Sequence, residues 1–215
     1  MIYLLSPHQK EGCKHLPMIE FSLIEQVLEL DGYDLLMFTS KQAVKSAQRL
    51  NKKWKEIPCL AIGSSTAEEI KRLGGSVFYE PKSFYGKSLS QDIIEKFSDK
   101  KILYLRPKVV SFDSKNFLAQ AGIVLHEKII YETTCIKYTK QNAPEKNAIL
   151  IFTSPSTIHC FLDNFTWDDS YRAVLIGEST KEHLPEHAKY EVADFPRIDA
   201  CIEKAKQILL ISNSK

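Results

Sequence analysis

The sequence predicts an α/β protein of two related domains, because short apolar runs alternate with helix-length segments and because two motifs recur at one spacing. The apolar runs have the length of buried strands in a parallel sheet, and the segments between them suit covering helices. The predicted strands are 2–6, 34–39, 59–63, 76–80, 101–106, 123–138, 148–153, 172–177 and 190–193. The predicted helices are 41–52, 65–73, 87–98, 113–121, 156–164, 179–187 and 197–211.

Two motifs of the first half of the chain return in the second half. "LMFTSKQAV" resembles "LIFTSPSTI", and "AIGSSTAEEI" resembles "LIGESTKEHL". Phe152 follows Phe38 by 114 residues, and Gly177 follows Gly63 by the same 114 residues. Equal spacing of two separate motifs indicates that one domain was duplicated.

The second copy has too few strands to form a complete sheet. It begins near residue 148, so we expect the strand at 2–6 to join it, with the chain crossing into the other domain and back. The prediction is a discontinuous domain of 1–17 plus 137–215, a continuous domain of 22–130, and paired linker strands at 18–21 and 131–136. Only "PHQKEGCK" follows the first strand, too short for a crossover helix, so we expect one sheet face to be thinly covered.

Composition narrows the class of function. The 215 residues are 44% hydrophobic and 26% charged, as in globular proteins, and a net charge of +2 without a dense basic run gives no support for nucleic-acid binding. No apolar run approaches the roughly 20 residues of a membrane span, and no signal peptide is evident. The five scattered cysteines predict a reduced, cytoplasmic protein, with Cys135 and Cys160 as buried thiols.

The repeated turns at the strand ends form the candidate binding site. Ser and Thr at a helix start satisfy free backbone N–H groups, so capping alone explains any single turn, and the glycines are expected to permit a tight turn. The carboxyl ends of parallel strands also form the ligand crevice of open α/β sheets, where helix N-termini favour anions. We therefore expect turns of both domains to line one cleft for an anionic ligand. The candidates are Thr39, Ser40, Gly63, Ser64, Ser65, Thr66, Thr153, Ser154, Ser156, Gly177, Ser179 and Thr180.

Other candidates have less support from the sequence. Arg106 follows the strand "ILYLR" and would meet either carboxylates or solvent, and Tyr131 lies in the predicted linker or serves as a strand aromatic. His183 and His187 are four residues apart, but Pro185 separates them and no third ligand is evident, so no metal site is predicted.

The ordered set of motifs resembles the uroporphyrinogen-III synthase family. The motifs are "LMFTSKQAV", "AIGSSTAEEI", "IIYETT", "LIFTSPSTI" and "VLIGESTKEHL", and together they extend over nearly the whole chain. The resemblance implies two flavodoxin-like domains joined by a two-stranded linker. It also implies a lyase that cyclises hydroxymethylbilane, a linear tetrapyrrole with eight carboxylates, to uroporphyrinogen III with inversion of ring D, loss of water and no cofactor.

The resemblance also implies roles for the site residues. Tyr131 matches the family tyrosine that assists loss of the hydroxyl group, and Thr66 and Thr180 match threonines expected at the reaction site. The remaining turn residues and Arg106 are expected to bind substrate carboxylates. The expected protein is a monomer that takes its substrate from the preceding enzyme of the pathway, without nucleic-acid or membrane partners. The alternative is a non-catalytic bilobal module for a small anion such as a phosphosugar, which would have no use for Tyr131.

Overall fold

The computed structural model of this chain has two compact units and describes residues 1–82 and 85–213. Unit 1 consists of Met1–Glu20 and the described part of Thr134–Lys215, and unit 2 consists of Phe21–Thr133. Both boundaries lie inside the segments predicted as linker strands. No helix in the described part of the chain has the length and apolar character needed to cross a bilayer.

The strands and helices follow the predicted alternation. The strands are β1 (Ile2–Leu4), β2 (Lys14–His15), β3 (Ile19–Leu23), β4 (Leu35–Phe38), β5 (Cys59–Ala61), β6 (Val77–Tyr79), β7 (Ile102–Pro107), β8 (His126–Cys135), β9 (Ile149–Phe152), β10 (Arg172–Leu175) and β11 (Lys189–Val192). The helices are α1 (Lys41–Leu50), α2 (Ser64–Arg72), α3 (Gly86–Lys96), α4 (Ser114–Gln120), α5 (Pro155–Asn164) and α6 (Ile198–Asn213). Short 3-10 helices lie at Lys52–Glu56, Lys140–Asn142 and Glu178–His183.

Unit 2 is built on a parallel sheet with the strand order β8-β7-β4-β5-β6, and β3 joins it as the edge strand beside β8. All four residues of β4 are buried, as expected of a central parallel strand. Helices α1 and α2 pack against one face, and α3 and α4 pack against the other. The chain runs outward from β4 through β5 to β6 and then crosses to β7 on the other side of β4, so a topological switch point lies between β4 and β7 at the edge where the strands end.

Unit 1 has the parallel strand order β11-β10-β9-β1-β2. Helix α6 covers one face through Cys201, Ile202 and Ala205, while Phe161 of α5 packs on Phe152 at the other face. As predicted, no helix connects β1 to β2. The connection instead lies on α6, where Lys10 pairs with Asp199 at 2.8 Å, so a single helix supports this face.

Each unit contains equivalent backbone hydrogen bonds, and their residues are separated by the same spacing as the sequence motifs. Ile62 N donates to Phe38 O at 3.0 Å, and Ile176 N donates to Phe152 O at 3.1 Å. In addition, Thr66 N and Thr180 N each donate to the carbonyl oxygen of the glycine three residues earlier, at 3.0 and 3.1 Å. Each pair of bonds is offset by the same 114 residues, so the two copies share the backbone hydrogen bonds of these turns, although the segments that follow the glycines form different kinds of helix.

The expectations for one helix and for two cysteines are wrong. The segment 179–187 does not form an α-helix but a 3-10 helix that ends at His183, because Pro185 cannot continue the helical hydrogen bonding. Cys135 and Cys160 are not free thiols but are joined by a disulfide within unit 1, while Cys13, Cys59 and Cys201 are free. The two cysteines are 25 residues apart in the chain, so only the fold reveals that the end of β8 lies against α5.

Candidate active site

The candidate site of unit 2 lies at its carboxyl edge, where the parallel strands end. Ser40 follows β4 and caps α1, because its hydroxyl accepts the Ala43 N–H at 3.0 Å. The same hydroxyl oxygen lies 2.9 Å from Tyr131 Oη. One serine therefore starts a helix and also holds the phenol that the family resemblance singles out.

Tyr131 combines burial with a polar contact. Its side chain packs edge-on against Phe21, with ring centroids 5.8 Å apart, and the residue is 4% exposed. Burial raises the pKa of the Tyr131 phenol above its ordinary value of 10.0, while the hydrogen bond with Ser40 lowers it in part. The phenol therefore keeps its proton at neutral pH and can serve as a hydrogen-bond donor.

A second tyrosine pairs with the other hydroxyl of this turn. Tyr104 Oη lies 2.7 Å from Thr39 Oγ1. Burial raises the pKa of Tyr104 to about 12, so this phenol is also protonated at neutral pH. Both hydroxyls of the Thr39–Ser40 turn are thus engaged by tyrosines from neighbouring strands.

Arg106 lies at the same edge, but its positive charge is already paired. Arg106 Nη1 donates to Glu127 Oε2 at 3.3 Å, and both side chains are only 15% exposed. Arg106 Nη2 donates to the Lys108 carbonyl oxygen at 3.2 Å. The guanidinium predicted to bind a carboxylate is therefore neutralised by a carboxylate of the protein.

The candidate site residues at the glycine turn of unit 2 differ in their exposure to solvent. Gly63 precedes α2, and Ser64 and Ser65 of its first turn are exposed. Thr66 is only 2% exposed, and its backbone N–H bonds to Gly63 O. The two serines are accessible to a ligand, whereas the threonine stabilises the turn from inside.

The carboxyl edge of unit 1 repeats the first turn and adds a second, reciprocal capping hydrogen bond. The Ser154 hydroxyl accepts the Thr157 N–H at 3.4 Å, and the Thr157 hydroxyl lies 3.3 Å from Ser154 N in a reciprocal capping box. Thr153 and Ser154 are half-buried, and Ser156 is exposed. The turn therefore presents accessible hydroxyls next to a firmly started helix.

The glycine turn of unit 1 corrects the expected role of its glycine. Gly177 has an extended backbone with φ −175°, and a Cβ atom placed there would meet no atom within 4 Å. Neither strain nor crowding requires glycine at this position. Ser179 is exposed and Thr180 is 1% exposed, as at the corresponding turn of unit 2.

The histidines predicted not to bind metal have other contacts. His183 Nδ1 lies 3.0 Å from His159 Nε2, and His187 Nε2 lies 3.3 Å from Asp169 Oδ1. Within the described residues, no three histidine, cysteine or carboxylate side chains converge in a way that would hold a metal ion.

The sequence interpretation missed three residues that contact or follow the strands of these sites. Tyr104 and Glu127 lie behind Thr39 and Arg106 in unit 2, and Ser6 follows β1 at the switch point of unit 1. Ser6 is 1% exposed, its hydroxyl accepts the His8 N–H, and its carbonyl lies 2.9 Å from His15 Nε2. The apolar runs predict that Tyr104 and Ser6 are buried, and Glu127 is half-buried, but the local sequence does not reveal the polar partners of these residues.

The fold places this chain in the class of α/β proteins, and its two parallel sheets carry hydroxyl-rich turns at the carboxyl ends of their strands. A family model described as HEM4, uroporphyrinogen-III synthase HemD, matches residues 13–203. The chain belongs to this family.

Curated relatives carry related names. The porphyrin biosynthesis protein HemD of Ruminiclostridium josui is 28% identical over 193 residues, which cover 82% of this chain and 38% of that protein. The uroporphyrinogen-III synthase of Synechococcus elongatus is 25% identical over 154 residues, which cover 65% of this chain and 57% of that protein. The chain thus spans between about two-fifths and three-fifths of the length of these relatives.

Solved structures share the fold over almost the entire chain. The uroporphyrinogen-III synthetase from Helicobacter pylori has a TM-score of 0.81 and 27% identity, covering 96% of this chain and 98% of that chain. A mutant uroporphyrinogen III synthase from Thermus thermophilus has a TM-score of 0.61 at 13% identity, covering 97% of this chain and 98% of that one, which shows the common fold alone.

Proposed function

We propose that this chain is a uroporphyrinogen-III synthase, a lyase that cyclises hydroxymethylbilane with inversion of ring D and loss of water. The observation that carries the proposal is the hydrogen bond between Tyr131 and Ser40 at the carboxyl edge of unit 2. Tyr131 is the residue that a non-catalytic anion-binding module would not need. Family membership supports the enzyme over that alternative.

We assign Tyr131 to the departure of the hydroxyl group. Ser40 Oγ accepts the Ala43 N–H, which leaves its own proton free to point at Tyr131 Oη in the substrate complex. The phenol then directs its proton to the leaving hydroxyl. Because the pKa of Tyr131 is raised, the group acts by orienting and hydrogen-bonding the leaving group more than by full proton transfer.

We assign the exposed turn residues to the substrate carboxylates. Hydroxyl and backbone N–H donors at helix starts bind carboxylates without buried charge, and the reaction passes through a cationic azafulvene that a strongly positive site would repel. The pairing of Arg106 with Glu127 fits this requirement. Thr66 and Thr180 are buried, so we propose that they maintain the shape of the turns that carry Ser65 and Ser179.

We also propose that the two units are flavodoxin-like domains that arose by duplication. Unit 1 has the flavodoxin strand order when its strands are counted along the chain. Unit 2 has the same spatial arrangement with the chain entering at β4, the strand equivalent to β9. The hydrogen bonds repeated at the 114-residue spacing support this origin.

The test supplies freshly prepared hydroxymethylbilane and separates the oxidised products by isomer. We expect isomer III from the wild-type chain, and formation of isomer I alone, the product of unassisted closure, would refute the proposal. Tyr131→Phe should lower kcat roughly 10- to 100-fold with little change in KM, because an oriented donor to the leaving group is lost. Tyr33→Phe is the matched control, since its hydroxyl contacts His126 Nδ1 at 3.3 Å, far along the strands from the carboxyl edge.

A further inference from the structure

We propose that Tyr104 is a positioning residue that fixes the Thr39 hydroxyl so that its proton points outward to a substrate carboxylate. The inference rests on the proposed function, because it assigns one step of substrate binding to the carboxyl edge of unit 2. Tyr104 itself does not touch the substrate. It acts through Thr39, whose Oγ1 atom lies 2.7 Å from Tyr104 Oη.

Tyr104 lies below the edge of the sheet. It pairs in register with Met37 of β4 and with Glu127 of β8, and its ring lies among the apolar side chains under α3 and α4. Tyr131 pairs with Pro107, three residues nearer the end of β7, which is roughly 10 Å along a strand. The Tyr104 phenol therefore reaches up to the turn from the core, whereas Tyr131 lies at the edge itself.

Burial determines which hydroxyl donates in the Tyr104–Thr39 hydrogen bond. Tyr104 is 2% exposed, and its hydroxyl has no partner other than Thr39 among the described residues. If Thr39 donated, the Tyr104 proton would remain buried without an acceptor, which is costly. Thr39 is half-buried and can turn its own proton to solvent or to a ligand. Tyr104 is thus the donor, and Thr39 presents its proton outward.

The remaining groups around Tyr104 are consistent with a protonated phenol. Burial is the main cause that raises the pKa of Tyr104 to about 12; Thr39 and Arg106 lower it in part, and Tyr131 and Glu127 raise it. The phenol remains a donor throughout the neutral range. The outward Thr39 proton requires an acceptor, and a carboxylate is the acceptor that the proposed substrate supplies in quantity.

The phenol is peculiar to unit 2. In unit 1 the equivalent position is Leu4, which pairs with Ile151 as Tyr104 pairs with Met37. The corresponding hydroxyl of Thr153 has no phenol from that strand. Orientation of the turn threonine by a buried tyrosine is therefore a feature of one unit, and we expect the Thr39 turn to bind its carboxylate more tightly than the Thr153 turn.

A double-mutant cycle between Tyr104→Phe and Thr39→Val tests the inference. Tyr104→Phe should raise KM roughly 2- to 10-fold, the worth of one neutral hydrogen bond, with kcat within about twofold. Thr39→Val should raise KM at least as much. In the Thr39→Val background, Tyr104→Phe should change KM by less than about 1.5-fold, because the residue acts only through Thr39.

Binding of uroporphyrin III, a stable octacarboxylate, provides a second measurement that needs no turnover. The same coupling is expected in its Kd. Equal effects of Tyr104→Phe in both backgrounds, or an unchanged KM and Kd in either single variant, would overturn the inference. Failure of the wild type to form isomer III would instead reject the proposed function, while the Kd cycle still decides the role of Tyr104.

Tyr171→Phe controls for a merely structural loss. Tyr171 is 4% exposed and its hydroxyl donates to the Pro144 carbonyl at 2.8 Å in unit 1. This variant removes the same buried hydrogen-bonding group away from the turn. It should lower the unfolding temperature as much as Tyr104→Phe does, with no change in KM or Kd.

Discussion

At the scale of single residues, the hydroxyls of Thr39 and Ser40 point to opposite sheet faces, and each finds a tyrosine there. The motif "IIYETT" is enough to single out Tyr131 through its resemblance to the family pattern. Tyr104 has no such motif, because an apolar run such as "ILYLR" predicts only that its residues are buried. Which polar atom a buried phenol meets depends on strand order and register, and neither is contained in the local sequence.

Tyr104 should make the stability of the protein sensitive to alkaline pH. Its pKa is about 12 in the folded chain and near 10 when unfolded, so the folded state retains a proton that the unfolded state releases. Stability therefore falls as the pH rises above about 10. Urea unfolding of wild type should lose about 0.8 kcal/mol more than Tyr104→Phe between pH 8.5 and 10.5.

Cys59 and Cys201 have raised pKa values as well. Their effect on stability at alkaline pH is the same in wild type and in Tyr104→Phe, so it cancels when the two proteins are compared. Equal losses in wild type and Tyr104→Phe would mean that the phenol is not protonated preferentially in the folded state.

At the scale of elements, the turns serve two purposes that mutation can separate. Ser154 caps α5, whereas Ser156, in the first turn of the same helix, is exposed and makes no cap. The sequence alone predicted the helix starts after Ser40 and Ser154 correctly, because serine, threonine and proline have strong positional preferences there. At the two glycine turns the expected capping side chain is absent, because Gly63 and Gly177 occupy the N-cap positions and no side chain makes a capping hydrogen bond there. The sequence did not distinguish a capping serine from an accessible one.

Ser154→Ala should lower the free energy of unfolding by about 1 kcal/mol, because α5 loses its N-terminal hydrogen bond. Ser156→Ala should change it by less than about 0.5 kcal/mol. Chemical denaturation measures both, and a raised KM in Ser156→Ala would support its proposed contact with substrate. A similar loss of stability in the two variants would contradict the assignment of the cap.

The segment 135–138, which follows the end of unit 2 in the chain, contacts α5 at several points. Besides the Cys135–Cys160 disulfide, Asn164 donates to the Ile136 carbonyl at 2.8 Å and accepts the Tyr138 N–H at 2.9 Å. Cysteine spacing gave the wrong prediction here, since odd, scattered cysteines usually indicate free thiols. The partners are brought together only by the path of the chain.

The disulfide predicts three free thiols, not five, when the oxidised protein is titrated in denaturant without reductant. Cys135→Ser should lower stability by about 3 kcal/mol, as expected for a closed loop of this size, and a dithiol reductant should then have no further effect. Cys13→Ser, at a half-buried free thiol, is the control. Five titratable thiols in the oxidised protein would exclude the bond.

At the scale of the whole molecule, the spacing of the repeated motifs predicted more of the strand arrangement than the local sequence patterns did. Each predicted strand is present, and the shortage of strands in the second copy correctly predicted that β1 joins the sheet of that copy, where it pairs with β9. The missing connection helix was also predicted from length alone. The 3-10 helix at 178–183 was not, because an apolar and polar pattern does not reveal which helical hydrogen bonds form.

The discontinuity of unit 1 has a consequence for the order of folding. Ile2 pairs with Ile149, so β1 has no sheet to join until nearly 150 residues have been synthesised, whereas the parallel strands of unit 2 all lie within one continuous segment. Contacts between distant residues form late because long loops must first close. Pulsed hydrogen exchange during refolding should therefore protect amides of β4 and β7 before those of β1. Earlier protection of β1 would show that the amino-terminal strand does not wait for the second half of its own domain.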